Sequence, residues 1–115
     1  MKVLYSTARN DGVDPSFTLG SSYMVLGVRF QTGSAPMIVV RRDSDGTPVL
    51  AELRYFDVQD SSVPADWGFF DFGDGFCALE PREFSGDFWD RFHDGDTEAE
   101  KTFERVVEKL KVFHA

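Results

Sequence analysis

The sequence predicts an α+β fold, with an antiparallel sheet of about five strands followed by two C-terminal helices. Alternating or β-branched apolar stretches fill the first two thirds of the 115-residue chain, which is typical of short strands. Apolar residues at helical spacing follow Pro81. Because the strands come first and the helices second, we expect at least one helix to pack on the sheet.

The first strands lie near the N-terminus. Residues 2–5 predict a short strand, and the polar residues 6–21 predict a loop. Between residues 23 and 31 every second position is apolar, which predicts one strand with one buried face. That face would consist of Met24, Leu26, Val28 and Phe30.

Two further strands are predicted as a hairpin. Residues 36–42 are rich in β-branched side chains, and residues 48–58 alternate. Between them, Asp43-Ser44-Asp45-Gly46 is typical of a tight turn, in which Gly46 can adopt positive φ. We expect Val49, Ala51, Leu53 and Tyr55 to share one face of the strand at 48–58.

A loop around Pro64 and a second hairpin follow. Residues 67–72 and 76–79 are rich in apolar side chains, and Gly73-Asp74-Gly75 separates them. The pattern therefore predicts two more antiparallel strands.

The helices come last. Phe84, Phe88 and Phe92 recur at every fourth position, which predicts a helix over 82–92 that ends at Asp94-Gly95. Gly86 costs this helix about 1 kcal/mol relative to alanine. Thr97-x-x-Glu100 predicts a capping box at the start of the last helix. Its buried face would consist of Ala99, Phe103, Val106, Val107, Leu110 and Phe113.

Composition limits the functional classes. The length predicts a single domain over 1–115. A formal net charge of −8 argues against direct binding to nucleic acid or to an anionic membrane surface. No long apolar run or signal-peptide pattern is present, so we expect a cytoplasmic protein.

The negative charge is concentrated in one segment. Residues 57–100 hold thirteen acidic and two basic side chains, a net charge of −11, interleaved with tryptophan and phenylalanine. This mixture fits either a solvated acidic face or a surface that attracts a basic partner. Because solubilising tails are poor in aromatic residues, the second interpretation is favoured.

Motifs for chemistry are scarce. Phosphate-binding glycine loops and the GxSxG elbow are absent from the sequence. His114 is next to the C-terminal residue, where fraying would make it a poor general base, and Cys77 is expected to be a buried apolar residue. Asp43, Asp45 and Glu52 match a calcium loop poorly because Arg41 would occupy the first ligand position. We therefore expect no catalytic residues, no metal and no cofactor.

A run of motifs in the second half resembles a known group of proteins. The run comprises Val63-Pro64-x-x-Trp67, Leu79-x-Pro81, and Asp87-Phe88-Trp89-Asp90-x-Phe92-x-Asp94-Gly95-Asp96 before the closing helix. It resembles the C-terminal half of small immunity proteins encoded beside bacterial polymorphic toxins, including those of contact-dependent growth inhibition systems. The resemblance implies a non-enzymatic protein that binds a cognate toxin domain, such as a nuclease with a basic cleft, and it supplies no catalytic residues.

Charge and resemblance together predict a monomeric toxin inhibitor in a 1:1 complex with a basic toxin domain. The expected toxin-binding residues are Asp66, Trp67, Asp71, Asp74, Glu80, Glu83, Asp87, Trp89, Asp90 and Asp94, with the two tryptophans as anchors. Two alternatives remain open at this point. One is an acidic nucleic-acid mimic that binds a basic host protein, and the other is a small enzyme with paired carboxylates in a pocket. A purely structural subunit would instead show a large exposed apolar patch.

Overall fold

Strands precede helices in the computed structural model, which describes residues 1–9 and 11–115. The described chain forms β1 (Lys2–Tyr5), β2 (Ser22–Met24), β3 (Gly27–Gln31), β4 (Met37–Arg41), β5 (Pro48–Glu52), β6 (Phe56–Asp60), β7 (Trp67–Gly73), β8 (Phe76–Pro81), α1 (Phe88–His93) and α2 (Thr97–Phe113). This order confirms the predicted α+β fold. Asn10, which belongs to the predicted loop over 6–21, lies outside the described residues.

The predicted sheet of about five strands is present, in the order β5-β4-β3-β8-β7 with antiparallel neighbours. One face packs against α2. On the opposite face the register aligns one side chain from each strand, which makes a continuous apolar row: Ala51, Ile38, Val28, Leu79 and Phe69. The two hairpins predicted over 36–58 and 67–79 supply β4–β5 and β7–β8.

A second sheet, with the order β2-β1-β6, was not predicted. Residues 48–58 were expected to form one strand, but a single-turn 3₁₀ helix at Leu53–Tyr55 separates β5 from β6. The backbone N–H of Leu53 donates to the carbonyl of Pro36 at 3.0 Å, and β6 then pairs with β1. The apolar residues Val49, Ala51, Leu53 and Tyr55 recur at every second position through this turn, so periodicity alone does not reveal it.

The strand predicted over 23–31 is also divided between the two sheets. Val25 and Leu26 separate β2 from β3, and both side chains are fully buried, but in different hydrophobic clusters. Phe30, which was expected in the core, is 38% exposed. A single buried face cannot describe a segment that crosses between two cores.

The helix predicted over 82–92 is shorter than expected. Arg82–Phe84 form a 3₁₀ turn, and α1 begins only at Phe88. Gly86 between them has φ of 68°, in the left-handed region, which interrupts a right-handed helix. Phe84 and Phe88 are nevertheless buried, as their spacing predicted.

The last helix, α2, agrees with the sequence except at its ends. Five of the six expected side chains are buried, whereas Phe113 is 41% exposed. The N-cap is Asp96 rather than Thr97, because Oδ1 of Asp96 accepts a hydrogen bond from the backbone N–H of Ala99 at 3.0 Å. The cap therefore lies one residue earlier than predicted, and because N3 is Ala99 the reciprocal half of the predicted capping box is absent.

Two hydrophobic clusters lie on opposite faces of the five-stranded sheet. The helix-side cluster joins Leu26 and Val39 to aromatic side chains from the 3₁₀ turn at Arg82–Phe84, from α1 and from α2. The second cluster joins the sheet to the three-stranded sheet, and its fully buried members contain no residue of β7. The β7 end of that face therefore lies beyond the second core.

Candidate partner-binding surface

The ten predicted toxin-binding residues fall in four parts of the fold. Three border a groove beside α2, two lie in the β7–β8 hairpin, four lie in or beside α1, and one is buried under the helices. In that order they are Asp66, Trp67 and Glu83; Asp71 and Asp74; Asp87, Trp89, Asp90 and Asp94; and Glu80. The predicted toxin-binding residues therefore do not form one continuous surface.

Two of these residues belong to the interior. Trp67 is only 8% exposed and is a member of the helix-side core, and Glu80 is 4% exposed. Burial raises the pKa of Glu80, and the charge of Arg29 opposes this shift only in part. Trp67 and Glu80 therefore offer a docking partner almost no surface, contrary to their expected roles.

Trp89, the second expected anchor, is partly buried in an aromatic cluster. Its ring lies 4.9 Å from that of Phe84 and 5.0 Å from that of Phe88, measured between centroids. Asp87, Asp90 and Asp94 are exposed, and Asp87 lies 3.8 Å from Arg91. The indole of Trp89 thus stabilises α1 against the core, while the carboxylates face solvent.

The groove beside α2 joins two of the predicted carboxylates through one cation. Nζ of Lys109 lies 3.1 Å from Glu83 and 3.9 Å from Asp66, above an apolar floor that includes Trp67 and Leu110. The cavity volume is about 280 Å³. Burial acts to raise the pKa of Glu83, but hydrogen bonds and the Lys109 charge lower it overall. The two carboxylates of the groove are therefore already paired with an ammonium group of this chain.

The β7–β8 hairpin carries the most exposed aromatic side chains of the described chain. Phe69 is 64% exposed and Phe72 is 50% exposed, and the Phe69 ring lies 6.3 Å from that of Phe30. Asp71 and Asp74 are exposed and form no ion pair among the described residues. The Phe72 ring packs instead on the other face of the sheet, 5.2 Å from the ring of Phe76. We call Phe30, Phe69, Phe72, Asp71 and Asp74, which lie on the two faces of this edge hairpin, the hairpin surface.

The position of β7 explains why the Phe69 ring is exposed. β7 is an edge strand, and Phe69 ends the apolar row beyond the reach of the three-stranded sheet. The sequence pointed to the carboxylates of this surface and predicted a buried Phe30, but it did not single out Phe69 or Phe72. The available signal was the WGFFDFG pattern, which places phenylalanine on both faces of one strand.

Contacts with the β3–β4 turn fix the hairpin. The backbone N–H of Thr32 donates to the carbonyl of Gly75 at 3.0 Å, and Nε2 of Gln31 donates to that of Asp74 at 3.2 Å. Gly75 has φ of 76°, and a Cβ atom there would collide with Thr32. The hairpin surface is therefore held in place before any partner binds.

Groups for metal or thiol chemistry are sparse in the part of the chain that the structure describes. No cluster of three or more histidine, cysteine, aspartate or glutamate side chains there has the arrangement of a metal site. Cys77 is a partly buried free thiol, where a fully buried apolar residue was expected. Among the described helices, none is long and apolar enough to cross a membrane.

Comparison with protein-family models, curated proteins and solved structures finds no match to this chain.

Proposed function

We propose that this chain is a small binding protein that docks a basic protein partner through its hairpin surface, and that it serves as an immunity protein for a toxin domain. The observation that carries the proposal is an exposed aromatic ring on each face of the edge strand β7, Phe69 and Phe72, with the unpaired carboxylates of Asp71 and Asp74 in the same hairpin. Aromatic side chains are enriched at the centres of protein interfaces, and monomeric proteins rarely expose them in clusters.

The charge distribution supports a basic partner. The segment 57–100 carries a net charge of −11, whereas residues 101–115 carry a net charge of only +2. Lys109 and Arg91 each contact two of the acidic side chains, so few cations serve many carboxylates. A field of one sign accelerates the encounter with a basic surface, whereas buried aromatic contacts slow dissociation.

The toxin-inhibitor role rests on the resemblance of residues 63–113 to immunity proteins and on this electrostatic match. An inhibitor of a lethal enzyme needs both fast association and slow release, and the hairpin surface combines a feature suited to each. A nuclease is the simplest target because its substrate cleft is basic, so carboxylates at Asp71 and Asp74 would occupy the place of phosphates. An acidic adaptor for a basic host protein remains the alternative role for the same surface.

Comparative affinity capture from bacterial lysate tests the proposal. The tagged wild-type chain and its Phe69→Ser/Phe72→Ser variant serve as baits, and the specific protein is the one retained by the first and lost from the second. The affinity of the purified pair is then measured by calorimetry at two salt concentrations. We expect the double variant to weaken binding by about 30-fold or more, as for loss of an interface hot spot, and higher salt to weaken the wild-type complex.

A matched surface variant controls for general effects. Val58 is 47% exposed on β6, in the other sheet, so Val58→Ser should leave binding unchanged. The captured domain is then expressed in bacteria, either by itself or together with this chain. The comparison of growth separates toxin neutralisation from adaptor function. Restored growth supports the immunity role, and a captured domain that never arrests growth contradicts it. Equal capture by both baits would overturn the hairpin surface itself.

A further inference from the structure

A cavity of about 440 Å³ lies between α1 and the helix-side face of the five-stranded sheet. It is separate from the hairpin surface. Strands β3, β4 and β5 form its floor, and α1 forms its wall. Its lining combines a guanidinium, an imidazole and an indole with aliphatic side chains: Arg29, Val39, Pro48, Val49, Leu50, Trp89 and His93.

Arg29 is the unusual member of this lining. It lies in β3, opposite Met37 on one side and Ala78 on the other, and its side chain is half-buried. Among the described residues it has no ion pair and no hydrogen bond. The other arginines have an ion pair, a hydrogen bond or an aromatic ring as partner: Arg9, Arg41, Arg42, Arg54, Arg82, Arg91 and Arg105.

An unpaired guanidinium is unexpected in a chain with 20 acidic residues. Glu80 has an electrostatic interaction with Arg29, but its carboxyl group lies too far away to form an ion pair within 4.0 Å. The five donors of Arg29 therefore remain available to a ligand.

The wall of the cavity is aromatic. The rings of Trp89 and His93 stack with a centroid separation of 6.0 Å and an interplanar angle of 27°. Nε1 of Trp89 is buried and has no hydrogen-bond partner among the described residues. Val39, Pro48 and Leu50 supply apolar surface on the sheet side.

We propose that this cavity binds a small organic carboxylate with an apolar or aromatic body. The guanidinium of Arg29 would hold the carboxylate through a bidentate pair, which is the strongest geometry available to this group. The apolar body would lie between the aliphatic floor and the Trp89 ring. An inorganic anion would satisfy Arg29 alone, so the mixed lining favours an organic acid.

NMR titration of the ¹⁵N-labelled chain with phenylacetate tests this inference. The protein has two tryptophans, and Trp67 lies outside the cavity lining, so its indole signal serves as an internal reference for that of Trp89. We expect a saturable shift at Trp89 with a dissociation constant of about 1 mM or lower. Neutral phenylacetamide, which has the same shape, should bind at least about tenfold more weakly because it lacks the charge.

Two arginine variants locate the anion. Arg29→Gln should weaken phenylacetate binding by at least about tenfold, and Arg29→Lys should weaken it less. Arg105→Gln removes the same charge from the exposed side of α2 and should leave binding unchanged. The proposal would be overturned if phenylacetate and phenylacetamide bound equally well, or if Arg29→Gln bound phenylacetate as tightly as the wild type. It would also be overturned if the Trp89 indole signal showed no saturable shift. Inorganic phosphate that binds as tightly as phenylacetate would overturn the organic-acid assignment.

Discussion

The amino nitrogen of Met1 lies 3.2 Å from Nε2 of His114, which joins residues 113 positions apart. The same nitrogen donates to the carbonyl of Ser62 at 2.6 Å. The His114 side chain is only 3% exposed, although fraying was expected there, and its Nδ1 lies 3.6 Å from Asp60. For Nε2 to accept from the ammonium group, the imidazole must be neutral with its proton on Nδ1.

This contact predicts that stability falls as the pH is lowered from 7 to about 5.5. Burial lowers the pKa of His114 from 6.5, and the neighbouring amino group lowers it further. The unfolded chain therefore binds more protons than the folded chain between the folded pKa and 6.5, so acidification favours unfolding. Urea denaturation across this range should show a free energy of unfolding that decreases toward acid pH.

The other histidine supplies the control. His114→Asn should remove most of this pH dependence, whereas His93→Asn, on the exposed part of α1, should retain it. A wild-type free energy of unfolding that is flat over this range would contradict a buried neutral His114.

The cap of α2 gives a second prediction. Asp96→Ala should lower the free energy of unfolding by about 1 kcal/mol, because the backbone N–H of Ala99 loses its acceptor. Thr97→Ala should change it by less than about 0.5 kcal/mol. Asp96→Asn keeps a capping oxygen and removes the charge that faces Arg91, so its loss should be small. Thermal or urea denaturation of the three variants decides between the two caps, and a larger loss for Thr97→Ala would restore the capping box.

The accuracy of the sequence predictions followed the range of the interactions. Helix α2 was predictable because its apolar spacing repeats over 17 residues and depends on local geometry. The three-stranded sheet was not, because the pairing of β1 with β6 joins segments about fifty residues apart. The turn at Leu53–Tyr55, which permits that pairing, interrupts no apolar pattern.

The candidate surface divides in the same way. The acidic character of residues 57–100 is a property of composition, and Asp71 and Asp74 are exposed as expected. Exposure of Phe69 depends on where the second sheet stops covering the first, which no local pattern records. Arg29 was not singled out because an arginine in a strand usually faces solvent, and its cavity exists only when α1 is placed beside β3.

Glu80 provides a third prediction. Its pKa is raised by burial, so the folded chain binds more protons than the unfolded chain between pH 4.5 and the folded pKa. Stability from this group is therefore lost as the pH rises through that window. Glu80→Gln should increase the free energy of unfolding at pH 7 by up to about 1 kcal/mol, since it removes the cost of a buried charge.

Glu83→Gln is the matched control, with the opposite sign. Burial acts to raise the pKa of Glu83, but hydrogen bonds and the Lys109 charge lower it overall, so its carboxylate stabilises the fold above pH 4.5. This side chain is 33% exposed, so the loss at pH 7 should be at most about 0.5 kcal/mol. A destabilised Glu80→Gln at pH 7 would show that the buried carboxylate is stabilised there by its surroundings.

Gly86 provides the final prediction, for which sequence and structure give opposite signs. In a continuous helix over 82–92, Gly86→Ala would stabilise the protein by about 1 kcal/mol. The observed φ of 68° instead places a Cβ in the left-handed region, so we expect a loss of about 1–2 kcal/mol. Apart from its two chain neighbours, no heavy atom of the described residues lies within 4 Å of that Cβ position, so the loss would come from the backbone alone. Gly86→Asn should lose less, because asparagine tolerates this conformation. Urea denaturation of both variants gives the sign, and a stabilised alanine variant would mean that the chain from Arg82 to His93 forms one helix.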